Sequence, residues 1–240
     1  MFEALVSANS PYSSFKLFSV SHLVIIVFTI MLIAGFYKWK KPLQPYRDLI
    51  RWGLLFALIG SEIYFNVWNI VIGEWSLLYT LPFQLCSICI YLCTFMLLTK
   101  NYRLFEIIYF LGLAGATQAI LTPELFYDFP HSRYFQFFIA HIAIILSPLY
   151  MTWIEGYRIR FNSVIRAFLT LNVIAAAVFL INVRLGANYM FLMRKPNNTS
   201  LLDFLGPYPR YLIALEFIAF FLFLLLYFPF YQRNSKNEVM

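Results

Sequence analysis

The sequence predicts an all-α membrane protein, a polytopic bundle of about seven transmembrane helices with its N-terminus outside and its C-terminus in the cytoplasm. Three observations lead there. Of 240 residues, 62% are hydrophobic, 20% aromatic and only 12% charged, which leaves too little polar surface to meet water over a fold of this length. Seven stretches approach the roughly twenty apolar residues that a spanning helix needs. The basic residues, finally, fall unevenly on the two sides of those stretches.

The first run, 18–37, is long enough to span and ends in Lys38, Lys40 and Lys41, so it is expected to be an anchor rather than a cleaved leader. The others are 49–70, 80–99, 103–121, 134–153, 162–183 and 210–231. Short connections join them, so one transmembrane domain is expected over 1–240. The longest connection, 184–209, carries Asn197, Asn198, Thr199 and three prolines, a composition that suits an ordered or re-entrant outer cap. No internal repeat is evident, which argues against a transporter of inverted halves.

With the N-terminus outside, twice as many lysines and arginines lie on the inner side as on the outer. The inner set includes Lys38, Arg47, Lys100, Arg103, Arg158 and Arg166, and the outer set includes Lys16, Arg133, Arg184 and Arg210. This bias accounts for the net charge of +7 without nucleic acid as a partner. Cys86, Cys89 and Cys93 share one apolar segment, so no disulfide framework is indicated.

Polar side chains inside a bilayer are costly, about 2–4 kcal/mol for a charge at mid-helix, so their depths carry information. Counting about 1.5 Å per residue from the outer side puts Cys86, His141 and Glu216 at one level. Gln118 comes slightly shallower and Glu62 a turn or two deeper. Asn66 and Asn69 lie near the outer end of the second helix, and His22 enters the first. The inner half reads as nearly apolar. The pattern fits a polar chamber under the outer surface, lidded by 184–209, although Asn and Gln also link membrane helices without any other role.

Cys86 and His141 carry the candidate chemistry, because a buried thiol needs a nearby base to become a nucleophile and a carboxylate such as Glu62 or Glu216 can orient the imidazole. The helical spacing of the three cysteines also suits a soft metal, but three thiolates on one rigid helix rarely give tetrahedral geometry, and no metal or other cofactor is expected. Pro82 marks the start of the third helix or a kink beside Gln84.

Five segments carry a resemblance: Leu81-Pro82-Phe83-Gln84-Leu85-Cys86, Tyr109 to Ala116, Leu121-Thr122-Pro123, Phe137-Phe138-Ile139-Ala140-His141 and Gly186 to Leu192. In this order they resemble the YwaF family of bacterial integral membrane proteins. That family is similar to eukaryotic transmembrane acyltransferases that remodel ether phospholipids, and more distantly to androgen-induced membrane hydrolases. The resemblance implies a multi-pass protein of the bacterial plasma membrane, with Cys86 as acyl acceptor, His141 as its base, and Asn188 and Tyr189 in a lid. Many relatives have His where this chain has Gln84, which leaves Gln84 as an oxyanion donor rather than a second base.

Together these readings predict an acyltransferase or transacylase acting on (lyso)phospholipid esters, with membrane lipids as its partners. The alternative is a carrier or receptor whose outer chamber binds a lipid or small solute without breaking bonds, and a ligand-free scaffold is a third reading.

Overall fold

The computed structural model describes residues 5–8, 10–12, 14–196 and 201–238, with side chains for these except 201 and 232–238. Among the described residues the architecture is all-helical, built from seven main helices: α1 Val20–Lys38, α2 Arg47–Val71, α3 Leu85–Thr99, α4 Tyr102–Leu121, α5 Ser132–Trp153, α6 Phe161–Leu185 and α7 Arg210–Glu238. Short 3-10 turns at Gln44–Tyr46, Tyr189–Phe191 and Leu201–Leu205 punctuate the connections. Asn197, Asn198 and Thr199 of the expected cap lie outside the described residues.

Six of the seven are long and apolar enough to cross a membrane. The exception is α3, which begins at Leu85 rather than near 80 and runs 15 residues, about 22 Å. Residues 80–84 form a docked strap instead. Pro82 has no N–H, the Thr80 hydroxyl accepts from the Ser76 N–H at 3.0 Å, and the Leu81 N–H donates to the Tyr189 hydroxyl at 3.1 Å. The strap is thus held against the cap at Leu81 instead of coiling into the helix.

The centre of the bundle is α4 and α5. In their most apolar windows 56% and 61% of residues are buried, against 11% for α1 and α7, whose outward faces carry Val24, Phe28, Phe217 and Phe221 exposed. Such apolar rims are what lipid replaces water against. α4 packs on α3, α5, α6 and α7, while α2 and α1 pack on α5. Small residues permit the closest approach. A Cβ on Gly112 would sit 3.3 Å from the Ile144 methyl and one on Gly115 3.3 Å from Leu85, so α4 meets α5 and the start of α3 through glycines. Gly112→Val is expected to lower stability by about 1–3 kcal/mol, read as a lower melting temperature in detergent.

The capped end of the bundle carries the segments 72–84, 122–131, 186–196 and 201–205; the other, with 39–46, 100–101 and 154–160, is the basic end. At the basic end Lys100 and Glu155 pair at 2.8 Å, and the Tyr157 hydroxyl donates to the Lys100 carbonyl at 2.6 Å. Both C-terminal ends, of α3 and α5, therefore lie together, and the two helices run parallel. The same end holds a buried charge: Glu106 of α4 is 3% exposed and accepts from Ser163 and Arg166 of α6. The expected apolar inner half is therefore incomplete. Glu106 lies about one turn from its helix start, where a cation on the neighbouring helix can reach it.

Candidate active site

Cys86 is the second residue of α3, half-buried with a free thiol, while Cys89 and Cys93 continue into the core at 1% and 0% exposure. The helix N-cap, Gln84, is extended and provides no side-chain cap. Ile88 makes the first intrahelical bond, to the Gln84 carbonyl at 3.0 Å. The N–H groups of Leu85, Cys86 and Ser87 have no partner among the described residues, so the turn that carries the thiol has unspent backbone donors. Gln84 spends its Oε1 on the Met190 N–H at 2.9 Å, which fixes its amide and leaves Nε2 free to donate.

His141 lies on α5, 6% exposed, with its ring against Phe137 at 4.1 Å between centroids. Nδ1 sits 2.7 Å from the Phe137 carbonyl, which can only accept, so Nδ1 carries the proton and the Nε2 lone pair is left available. Register relates the two residues. Cys93 of α3 meets Ser147 of α5, and the helices are parallel, so seven residues back along each puts Cys86 level with Ala140 and its neighbour His141.

The remaining predicted residues fall into separate groups. Glu62 is 8% exposed, and its Oε1 accepts from the Tyr91 hydroxyl at 3.2 Å and from Asn66 Nδ2 at 3.4 Å, joining α2 to α3. Asn66 also donates to the Glu62 carbonyl, and Asn69 to that of Phe65 at 2.8 Å, both bonds within α2. Gln118 donates to the Thr122 hydroxyl at 2.6 Å and closes the end of α4. Glu216 accepts from Asn172 at 3.0 Å, a link between α6 and α7 that sequence reading passed over because it followed only one partner.

His22 is fully used. Its Nδ1 accepts from the Phe18 N–H at 3.0 Å and its Nε2 donates to the Ile120 carbonyl at 2.8 Å, stapling the start of α1 to the end of α4. Tyr189 is buried and serves the cap: its hydroxyl donates to the Leu77 carbonyl at 2.8 Å while Asn182 brackets its backbone on both sides. Asn188 folds the loop that follows by accepting from the Met193 and Arg194 N–H groups. The expected single hollow thus resolves into several polar groups, with Gln84 and the cap beside Cys86 and the Glu62 group between α2, α3 and α5.

Sequence reading also missed Arg133, which it counted as an outer charge. Its guanidinium lies over Phe65 at 4.5 Å and Trp68 at 5.3 Å and donates to Gln136, whose Nε2 reaches the Ser61 carbonyl at 3.1 Å. Among the described residues no carboxylate comes within ion-pairing distance of it. The available signal was its spacing, one helical face above Gln136, Phe137 and His141.

Just before α5, His131 is fully buried, with Nδ1 accepting from the Arg133 N–H at 3.1 Å and Nε2 donating to the Ser7 carbonyl at 3.3 Å. Burial lowers its pKa below the ordinary imidazole value; the Ser7 carbonyl works against this and the Arg133 charge with it. The neutral ring is the one that fits. Its contribution to stability is therefore present above about pH 6.5 and is lost as pH falls through the lower folded value. Melting temperature should decline on acidification below 6.5, and His131→Gln should flatten that part of the profile.

Among the described residues no three His, Cys, Asp or Glu side chains come together to hold a metal ion. An open cleft at the basic end, lined by Tyr102, Tyr157, Arg158 and Arg160, lies at the opposite end of α3 and α5 from Cys86. No curated protein and no solved structure matches the chain. The family model of the TMEM164 family matches residues 13–227, nearly the whole helical bundle described above, and the chain therefore belongs to the TMEM164 family of multi-pass membrane proteins.

Proposed function

We propose that this protein transfers acyl groups between membrane lipids, with Cys86 as nucleophile and His141 as base, and that the capped end faces outside. The observation that carries the reading is the position of Cys86, a free thiol, in the uncapped first turn of α3, whose N–H groups have no partner among the described residues. Unspent donors aimed at the place where negative charge develops are what acyl transfer needs. The level of His141, with its Nε2 unspent, supports the pairing, and the bias of basic residues toward the opposite end supports the orientation.

A lipid enters sideways from the leaflet at the capped end and presents an ester carbonyl to Cys86. Nε2 of His141 takes the thiol proton as sulfur bonds to the carbonyl carbon. The α3 N–H groups and Gln84 Nε2 hold the oxyanion. The C–O bond to the alcohol then breaks, and the same proton passes from His141 to the departing oxygen. A lysolipid hydroxyl, or water, resolves the thioester by the reverse route, its proton returning through His141 to sulfur.

The test is to incubate proteoliposomes with a phospholipid carrying a labelled acyl chain and to look for label on the protein. The expected result is a hydroxylamine-sensitive adduct on Cys86, absent in Cys86→Ala together with acyl exchange. Undiminished exchange by Cys86→Ala would overturn the nucleophile.

A further inference from the structure

The chemistry above makes no use of the Arg133 guanidinium. It lies against the faces of Phe65 and Trp68, an arrangement that holds the plane of the cation and leaves its edge for hydrogen bonds. Gln136 takes one N–H. Beside it, within electrostatic reach, is the hydroxyl of Tyr64, which is buried and has no hydrogen-bond partner. A buried hydroxyl is ordinarily paired, so this one indicates a missing acceptor. An unpaired hydroxyl on α2 and a guanidinium on α5 thus lie within electrostatic reach of each other.

Glu62 is the nearby opposing charge and acts on Arg133 without ion-pair contact, its Oε1 being engaged by Tyr91 and Asn66. It offsets part of the cation's charge and leaves the guanidinium edge open. His131 and Tyr127 close the outer side, stacked at 4.1 Å, with the His131 ring neutral.

We infer that Arg133 and Tyr64 bind the phosphodiester of a phospholipid in the leaflet at the capped end. The guanidinium fork matches two phosphate oxygens, and the phenol supplies a third bond to the same anion. Its depth favours a lipid over a free ion, because Arg133 sits in the first turn of a spanning helix, at the level where lipid phosphates lie. Arg133 also remains within electrostatic reach of His141 on the same helix. One lipid can therefore rest its phosphate on Arg133 and hold an acyl ester toward Cys86. Which ester is presented rests on the acyl-transfer reading; the binding does not.

The experiment measures binding to the full chain carrying Cys86→Ala, in an uncharged detergent, so that no turnover occurs. The probes are a lysophosphatidylcholine, a monoacylglycerol with the same acyl chain, and inorganic phosphate. The lysophospholipid should bind on the order of tenfold more tightly than the monoacylglycerol, the difference that one charge-assisted hydrogen bond supplies. Arg133→Gln should abolish the preference and Tyr64→Phe should reduce it. Tyr64→Phe removes a hydroxyl that the fold does not bond, so it folds even if Arg133→Gln does not.

Equal binding of both lipids, or an unchanged preference in Tyr64→Phe and Arg133→Gln, would overturn the site. Full displacement of the lysophospholipid by inorganic phosphate would replace the lipid with a free anion and overturn the inference as stated. Exchange that survives Cys86→Ala removes the covalent chemistry and leaves the phosphate preference standing, so the two claims fail separately.

Discussion

His141→Asn is expected to lower acyl exchange by about 10²–10⁴-fold, the usual contribution of a positioned general base, without loss of the folded protein. Asparagine suits the position. Asn66, Asn69 and Asn172 of this chain each donate to the carbonyl four residues earlier in their helices, the same bond that His141 makes through Nδ1. The substitution therefore keeps the anchor on Phe137 and deletes only Nε2. Exchange in proteoliposomes and melting temperature in detergent should be read together, with activity falling while the melt stays nearly in place. In a Cys86→Ala background the same change should cost nothing further, since a nucleophile and its base act as one unit. Full activity in His141→Asn would leave Cys86 without its base.

Glu106→Leu should produce the largest loss of stability, about 3–5 kcal/mol, by removing one partner of a buried ion pair. Glu106 is nearly inaccessible, and its two oxygens are taken by Ser163 and Arg166. Leucine leaves both donors facing hydrocarbon and packed helix. Part of the loss is moderated because the Arg166 side chain is 45% exposed and can turn toward the basic surface. Glu106→Leu combined with Arg166→Leu should recover much of the stability, since an apolar pair of similar volume costs less than a stranded charge. A double variant as unstable as the single one would place the energy in packing rather than in the pair.

Much of the bundle was legible because a bilayer allows few alternatives. A run such as 162–183 or 210–231 can satisfy its backbone in hydrocarbon only as a helix, so α6 and α7 begin within a residue of the expected positions. The exception shows the limit. Residues 80–84 are as apolar as a helix start, yet they form a strap, because Leu81 donates to the hydroxyl of Tyr189, more than a hundred residues away. Hydropathy has no access to such a bond.

The candidate residues could be picked by type and depth, but their grouping could not. Cys86 and His141 stood out by residue type and depth. Depth alone also gathered His22, Gln118 and Glu216 into the same set, but those residues bond to Ile120, Thr122 and Asn172 on other faces of the bundle. Rotation of a helix about its axis decides which residues at one depth meet, and a count along the chain leaves that angle free. The same freedom hid Arg133, whose position near a helix end looked like a loop charge.

The sequence by itself determined the helical class and the approximate bounds of most of the apolar runs, since composition and length already fix how a chain meets lipid. The tertiary structure alone decided that α3 starts at Leu85 with the N–H groups of its first turn unpaired, and that Arg133 lies over Phe65 and Trp68. Both outcomes depend on side chains from distant segments competing for the same hydrogen bonds and the same space, and neither competition is written in the local pattern of any one segment.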